Sequence, residues 1–160
     1  KFFKEDEMYA YNDDYVKTKQ AELIGIEGVY TNKKTLKIHG FSEITDVELN
    51  GKDLGVTDTV TFNKGLNTVR ITNEACTVKR FVRVDTDKPV LNVKDKKTYK
   101  RNKVLKVKDK YSGIKEATVN GVALNKKQIK KGYKLTSIGE TRIVVTDKAG
   151  NTKTVIITVK

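Results

Sequence analysis

At 160 residues, with 37% hydrophobic and 33% charged side chains, the chain has room for one ordinary domain or for two small β-domains of about 70 to 80 residues each. No apolar run of 18 residues occurs and no cationic segment leads into an apolar stretch, so neither a transmembrane span nor a signal peptide is expected within it. Cys76 is the sole cysteine, which excludes an internal disulfide and a paired-cysteine zinc cluster, and the net charge of +13 is divided unevenly.

Residues 1–21 form a short N-terminal extension. Phe2, Phe3, Tyr9, Tyr11 and Tyr15 stand there among acidic residues, and the pattern fits the closing strand of a preceding module, a short packed helix or a disordered tail. Two stretches then read alike. Phe41-Ser42-Glu43-Ile44, Val47, Leu49-Asn50-Gly51 and Leu54 line up with Tyr111-Ser112-Gly113-Ile114, Ala117, Val119-Asn120-Gly121 and Leu124 at an offset of 70. Tyr30, Leu36 and Ile38 match Tyr99, Leu105 and Val107 at 69, and Gly65, Val69, Ile71 and Ala75 match Gly139, Ile143, Val145 and Ala149 at 74. The simplest account is two copies of one module, over residues 22–85 and 86–160.

Each copy reads as a series of short strands. Leu36 and Ile38, and Leu105 and Val107, alternate with lysines as in a strand with one wet face. Asn50-Gly51 and Asn120-Gly121 are hairpin signals, because a type I′ turn needs positive φ at both central residues. Gly65 and Gly139 mark a turn before strands over 68–72 and 141–146. Closing strands run through Val82 and Val84, and through Val155, Ile157 and Val159; Phe81 breaks the first alternation and predicts a bulge or a second buried face. With turn signals every ten or so residues and no convincing helix, the expected fold is all-β, two tandem sandwiches. The expected cores contain Leu36, Ile38, Val69 and Ile71, then Leu105, Val107, Ile143 and Val145. Asp85-Thr86-Asp87-Lys88-Pro89, with the chain's one proline, is the expected linker, stiff enough to hold the modules end to end.

The second copy, through Tyr99, Val107-Lys108-Asp109, Ser112-Gly113-Ile114, Val119-Asn120-Gly121 and Thr146-Asp147-Lys148-Ala149-Gly150-Asn151, resembles the bacterial Ig-like modules repeated in secreted and wall-attached proteins. The first copy has Asn73-Glu74-Ala75-Cys76 in place of the Asp-x-Ala-Gly-Asn turn and joins the resemblance mainly through the second. The resemblance implies immunoglobulin-like sandwiches used as spacer, stalk or adhesive module, outside the cell or at its surface, as in cysteine-poor Gram-positive surface proteins. It implies no catalytic residues and no fixed ligand.

No enzyme is expected. His39, the one histidine, follows inward Ile38 and so faces solvent, and Cys76 falls at a hairpin tip expected far from it. Neither a cofactor nor a defined metal site emerges. Asp85 and Asp87 flank the module junction and could hold calcium, but they read equally as a solvated or backbone-capping turn. Lys37, Lys106 and Lys153 stand out of phase with the core and are not candidates for a buried isopeptide bond. Among aromatics, Tyr30/Tyr99 and Phe41/Tyr111 read as edge-of-core packing and Tyr133 as the freer, sugar-accessible ring.

Charge carries the remaining signal. Residues 1–85 hold 13 Lys+Arg against 14 Asp+Glu, and residues 86–160 hold 20 against 6. Lys94, Lys96, Lys97, Lys106, Lys108 and Lys110 crowd the opening of the second module and are expected to form an anionic-polymer face. A wall polymer or acidic glycan is the expected partner, with a host or neighbouring protein as the other possibility. The scarcity of arginine and of interleaved aromatics argues against nucleic acid. A structural or adhesive surface segment is therefore the first reading. The second is an accessory module that localises a secreted enzyme on an anionic polymer.

Overall fold

A computed structural model describes residues 20–160; the aromatic-rich stretch of the extension lies outside the described residues. The chain divides into two compact units, one made of the described residues up to Val29 together with Lys33–Val84, the other of Tyr30–Asn32 with Asp85–Lys160. Its strands are, in order, β1 Glu22–Ile24, β2 Tyr30–Thr31, β3 Thr35–His39, β4 Ile44–Leu49, β5 Lys52–Gly55, β6 Thr59–Thr61, β7 Gly65–Asn73, β8 Thr77–Val84, β9 Val90–Leu91, β10 Thr98–Tyr99, β11 Val104–Leu105, β12 Val107–Lys108, β13 Ile114–Val119, β14 Val122–Ala123, β15 Tyr133–Lys134, β16 Gly139–Asp147 and β17 Thr152–Val159.

In the first unit, β1-β3-β6 form one sheet, and β8-β7-β4-β5 follow one another in the other. The period-2 alternation of β3 sends Leu36 and Ile38 inward. There they meet Val47, Val60, Val69, Ile71, Val78, Val82 and Val84, with Phe62 and Ala21 completing the core. In the second unit β17-β16-β13-β14 repeat the order β8-β7-β4-β5, and β10 joins the far side of β17 in parallel. The opposing layer is broken into two ladders, β9 with β12 and β11 with β15. Ile143, Val145, Val155, Ile157 and Val159 from the large sheet pack there with Val93, Leu105 and Leu135. Both units are immunoglobulin-like β-sandwiches, held by packing alone, since Cys76 is a free thiol. Of the expected core residues only Val107 stays half-buried at the margin.

The duplication extends to irregularities. β4 slips register against β7 between Ile44 and Asp46, and β13 slips against β16 between Ile114 and Glu116, 70 residues later. Asn50 and Asn120 both take φ 50°, followed by Gly51 at 82° and Gly121 at 80°, the left-handed pair that an Asn-Gly hairpin supplies at low cost.

Three expectations are corrected. Gly65 and Gly139 are not turns ahead of the strands; they are the first residues of the nine-residue β7 and β16. Phe81 causes no bulge: β7 and β8 stay in register from Gly65↔Val84 to Thr72↔Thr77, and the ring faces out, half exposed, with the Lys79 ammonium 5.2 Å from its centre. A helix does occur, α1, Lys126–Lys131, started by a capping box in which Asn125 Oδ1 accepts from Gln128 N at 2.8 Å and Gln128 Oε1 accepts from Asn125 N at 2.9 Å. That box satisfies amides the first turn would otherwise leave free.

Candidate functional site

The β12–β13 loop of the second unit is organised by one carboxylate. Asp109 Oδ1 accepts from Tyr111 N (3.0 Å), Ser112 N (2.8 Å), Gly113 N (3.2 Å) and Ser112 Oγ (3.2 Å). Burial opposes its ionisation, but the hydrogen bonds from Ser112, Tyr111 and Gly113 together outweigh burial and hold the carboxyl below the usual carboxylate range. The β16–β17 turn is organised in the same way. Asp147 Oδ1 accepts from Ala149 N (3.0 Å) and Asn151 N (2.8 Å), and its Oδ2 accepts from Asn151 Nδ2 at 2.9 Å.

A third carboxylate joins these two. Asp85, the first residue after β8, accepts from Asp87 N at Oδ1 (3.0 Å), while its carbonyl accepts from Asn151 Nδ2 at 2.7 Å. Its Oδ2 is buried and has no hydrogen-bond partner. One carboxylate oxygen from each of Asp85, Asp109 and Asp147 lies within 4.8 Å of the other two. Asp85 and Asp147 are 1% and 0% exposed.

The first unit builds the corresponding place differently. Asn73 stands 74 residues before Asp147 and closes the β7–β8 turn with Oδ1, accepting from Ala75 N and Cys76 N, while its Nδ2 donates to Gly40 O at 2.8 Å. His39 stands 70 residues before Asp109, exposed and edge-on to Phe41 at 4.2 Å between ring centres. Ser42, the counterpart of Ser112, has therefore lost its acceptor, and its Oγ is buried without a partner.

Sequence spacing had paired Asp85 with Asp87; Asp87 instead supplies only an amide to Asp85, and the carboxylates brought to it are Asp109 and Asp147. Residues 24 and 38 positions apart carry no local motif, which is why the sequence reading missed them. The expectation that Cys76 lies far from His39 is also corrected, since the Asn73 bond to Gly40 brings that turn to the same end of the sandwich. No hydrogen bond joins the two side chains: the Cys76 amide is tied to Asn73.

The six lysines are all exposed, in two settings. Lys94, Lys96 and Lys97 lie in the β9–β10 turn, where Lys97 N donates to Lys94 O and Lys96 N to Ile156 O. Lys106 and Lys108 border a groove of about 400 Å³ floored by Val90, Leu91, Val107 and Ile129, and α1 adds Lys130 and Lys131. Lys110 stands in the Asp109 loop. Of the aromatic expectations, Tyr99 packs against the core and Tyr30 is half-buried, as edge-of-core residues should be, but Tyr133 also packs against the core and Phe41 and Tyr111 are 44% and 38% exposed.

The chain matches no protein-family model and no curated protein. Among solved structures it is similar to the Bacteroides ovatus mixed-linkage glucan utilization locus protein SGBP-B in complex with a mixed-linkage heptasaccharide (13% identity, TM-score 0.31, covering 88% of this chain and 46% of that one). It is also similar to tandem Ig domains of titin (15%, 0.28, 88% and 97%) and to DIP-gamma IG1+IG2 (10%, 0.31, 88% and 96%). The chain spans about half the length of the first of these. Likenesses this distant carry no argument about function. No helix among the described residues is long and apolar enough to cross a membrane.

Proposed function

We propose that this chain is a non-enzymatic structural or adhesive segment of a bacterial surface or secreted protein. The observation that carries the reading is the repeated architecture: two sandwiches with one strand order, one Asn-Gly hairpin and one bulge position. Repetition of a self-contained module extends reach and multiplies contact area, whereas it adds nothing to a single catalytic centre. The exposed His39 and the half-buried Cys76 carry no role in this reading. The test is antibody labelling of intact cells that express the parent protein, with and without residues 20–160. Surface labelling, with reduced attachment to host or neighbouring-cell protein on deletion, supports the reading; exclusively intracellular protein overturns it.

The lysine groove favours a second reading, in which the second unit docks on an anionic wall polymer or acidic glycan and localises a secreted enzyme. Four lysines line the groove together with Val90, Leu91, Val107 and Ile129, so a flexible polyanion would gain charge contacts while covering apolar surface. Exposed pairs of this kind weaken as the Debye length falls from about 10 Å at 0.1 M salt to about 3 Å at 1 M. Binding of a teichoic-acid-like polymer should fade with salt and with joint replacement of Lys106, Lys108, Lys130 and Lys131 by Gln. Replacing Lys94, Lys96 and Lys97 by Gln separates the turn from the groove. Equal, salt-independent binding of a neutral polysaccharide would exclude this reading.

A further inference from the structure

We infer that Asp85, Asp109 and Asp147 form a calcium site that closes one end of the second sandwich. The inference goes beyond the proposed function and does not depend on it. Two observations carry it independently. One carboxylate oxygen from each aspartate lies within 4.8 Å of the others, and Asp85, a member of this cluster only 1% exposed, carries a buried Oδ2 without a hydrogen-bond partner.

The donors identify the ion. All are carboxylate oxygens, with no imidazole or thiolate among them, which suits a hard cation and not zinc. Calcium binds oxygen at about 2.3–2.6 Å, so two ligands on opposite sides of it stand up to about 5 Å apart; magnesium, at about 2.0–2.1 Å, requires about 4 Å or less. Oxygens within 4.8 Å of one another can share one calcium ion, which accepts several carboxylates, whereas magnesium keeps most of its waters. The remaining coordination positions would be filled by water or by other oxygens.

The arrangement also explains how the aspartates are held. Asp109 Oδ1 is fixed by four donors in its own loop, Asp147 Oδ1 by two amides of its turn, and Asp85 Oδ1 by Asp87 N. Asp85 and Asp109 are therefore oriented by one oxygen and retain the other, while Asp147 Oδ2 also accepts from Asn151 Nδ2. The first unit provides the contrast. There Asn73 Nδ2 bridges to Gly40 O, a bond an aspartate cannot donate. Where the second unit replaces that amide by Asp147, a cation can make the missing bridge, linking three segments that are distant in sequence.

The experiment uses the full chain, stripped with chelator and titrated with calcium chloride, in parallel with magnesium chloride, by calorimetry and by amide NMR. One site is expected, with calcium preferred over magnesium by at least tenfold, and with shifts concentrated at residues 85–87, 109–113 and 147–151. The Asn73–Cys76 turn should remain still, as an internal control. Asp85→Asn and Asp147→Asn, which keep side-chain shape, should each weaken calcium binding by at least tenfold while the remaining amide spectrum shows a folded chain. Asp87→Asn, which preserves its amide bond to Asp85, should bind as the parent does. No calcium response up to millimolar concentrations in the folded parent protein would overturn the inference. So would shifts centred elsewhere, or unchanged affinity in both Asp85→Asn and Asp147→Asn.

Discussion

Asn120 Oδ1 accepts a hydrogen bond from Arg142 N at 2.8 Å, and the Asn120 amide returns one to Arg142 O at 2.8 Å. Asn50 makes the same two bonds with Thr68, at 2.8 and 2.9 Å. Each hairpin asparagine therefore serves twice, once by accepting a left-handed backbone and once by fastening the turn to the neighbouring long strand. Asn120→Ala should lose both services and cost about 1 to 3 kcal/mol. Asn120→Gly keeps the backbone freedom and should cost about 1 kcal/mol. Chemical unfolding of the two variants measures the order, Ala worse than Gly.

Ile143 is 0% exposed at the centre of the second core, and Lys106 is exposed. Truncating Ile143 to Ala removes packed methyl groups and leaves a cavity, at an expected cost of about 2 to 5 kcal/mol. Lys106→Ala should stay within about 0.5 kcal/mol of the parent. Urea unfolding midpoints at unchanged slope give the comparison, and equal losses at both sites would contradict the packing described.

Ser112 and Ser42 occupy matching positions with opposite hydrogen bonding. Ser112 Oγ donates to Asp109, whereas Ser42 Oγ is buried and unpartnered. Ser112→Ala should destabilise the chain by about 1 kcal/mol. Ser42→Ala removes a buried hydroxyl that gains nothing and should be neutral or stabilising. Thermal unfolding of both variants tests the sign difference.

The Asp46 and Asp53 carboxyls are coupled across the β4–β5 hairpin. A proton shared with Asp53 is the first cause raising Asp46, helped by burial and by the charge of Asp53, while Asp53 is lowered first by the Gly55 amide and then by Asp46. Asp46 should therefore gain its proton at higher pH than Asp53. By linkage, the raised group favours the folded state as pH falls through its folded midpoint. The lowered group favours folding above its unfolded midpoint and loses that contribution as pH falls through its folded one. Carbon-detected NMR titration should show two separated midpoints, and Asp53→Asn should bring the Asp46 midpoint down toward the ordinary value.

Much of the fold is legible because it is written locally. The Asn-Gly pairs dictate hairpins, the alternation in β3 and β16 dictates the buried face, and the copy at offsets of 69, 70 and 74 residues marks the duplication. Helix α1 escaped because six residues contain too little apolar periodicity; only the Asn125 and Gln128 capping box marked it. At Phe81 a large apolar side chain suggests a bulge or a second buried face, whereas strand phase overrules hydrophobicity and leaves its ring outward under Lys79. The aspartate cluster was illegible for a different reason. Asp109 and Asp147 lie in separate loops, and only the closure of the sandwich brings them to Asp85. The one hint lay in the differences between the copies, Asp109 against His39 and Asp147 against Asn73.

The outermost strands next to the hairpins, β5 and β14, have four and two residues. β5 begins with Lys52 and Asp53, and its pairing is interrupted by a register shift between Val47 and Glu48. Edges of this kind offer an incoming strand few consecutive free amides and carbonyls, and charge or a bulge spoils the remainder. When many copies are crowded together, neighbours should therefore be unable to extend these sheets from this side. Even with the exposed Val56 and Val122 nearby, at 71% and 69%, such material should resist fibrillar aggregation by edge-to-edge growth there.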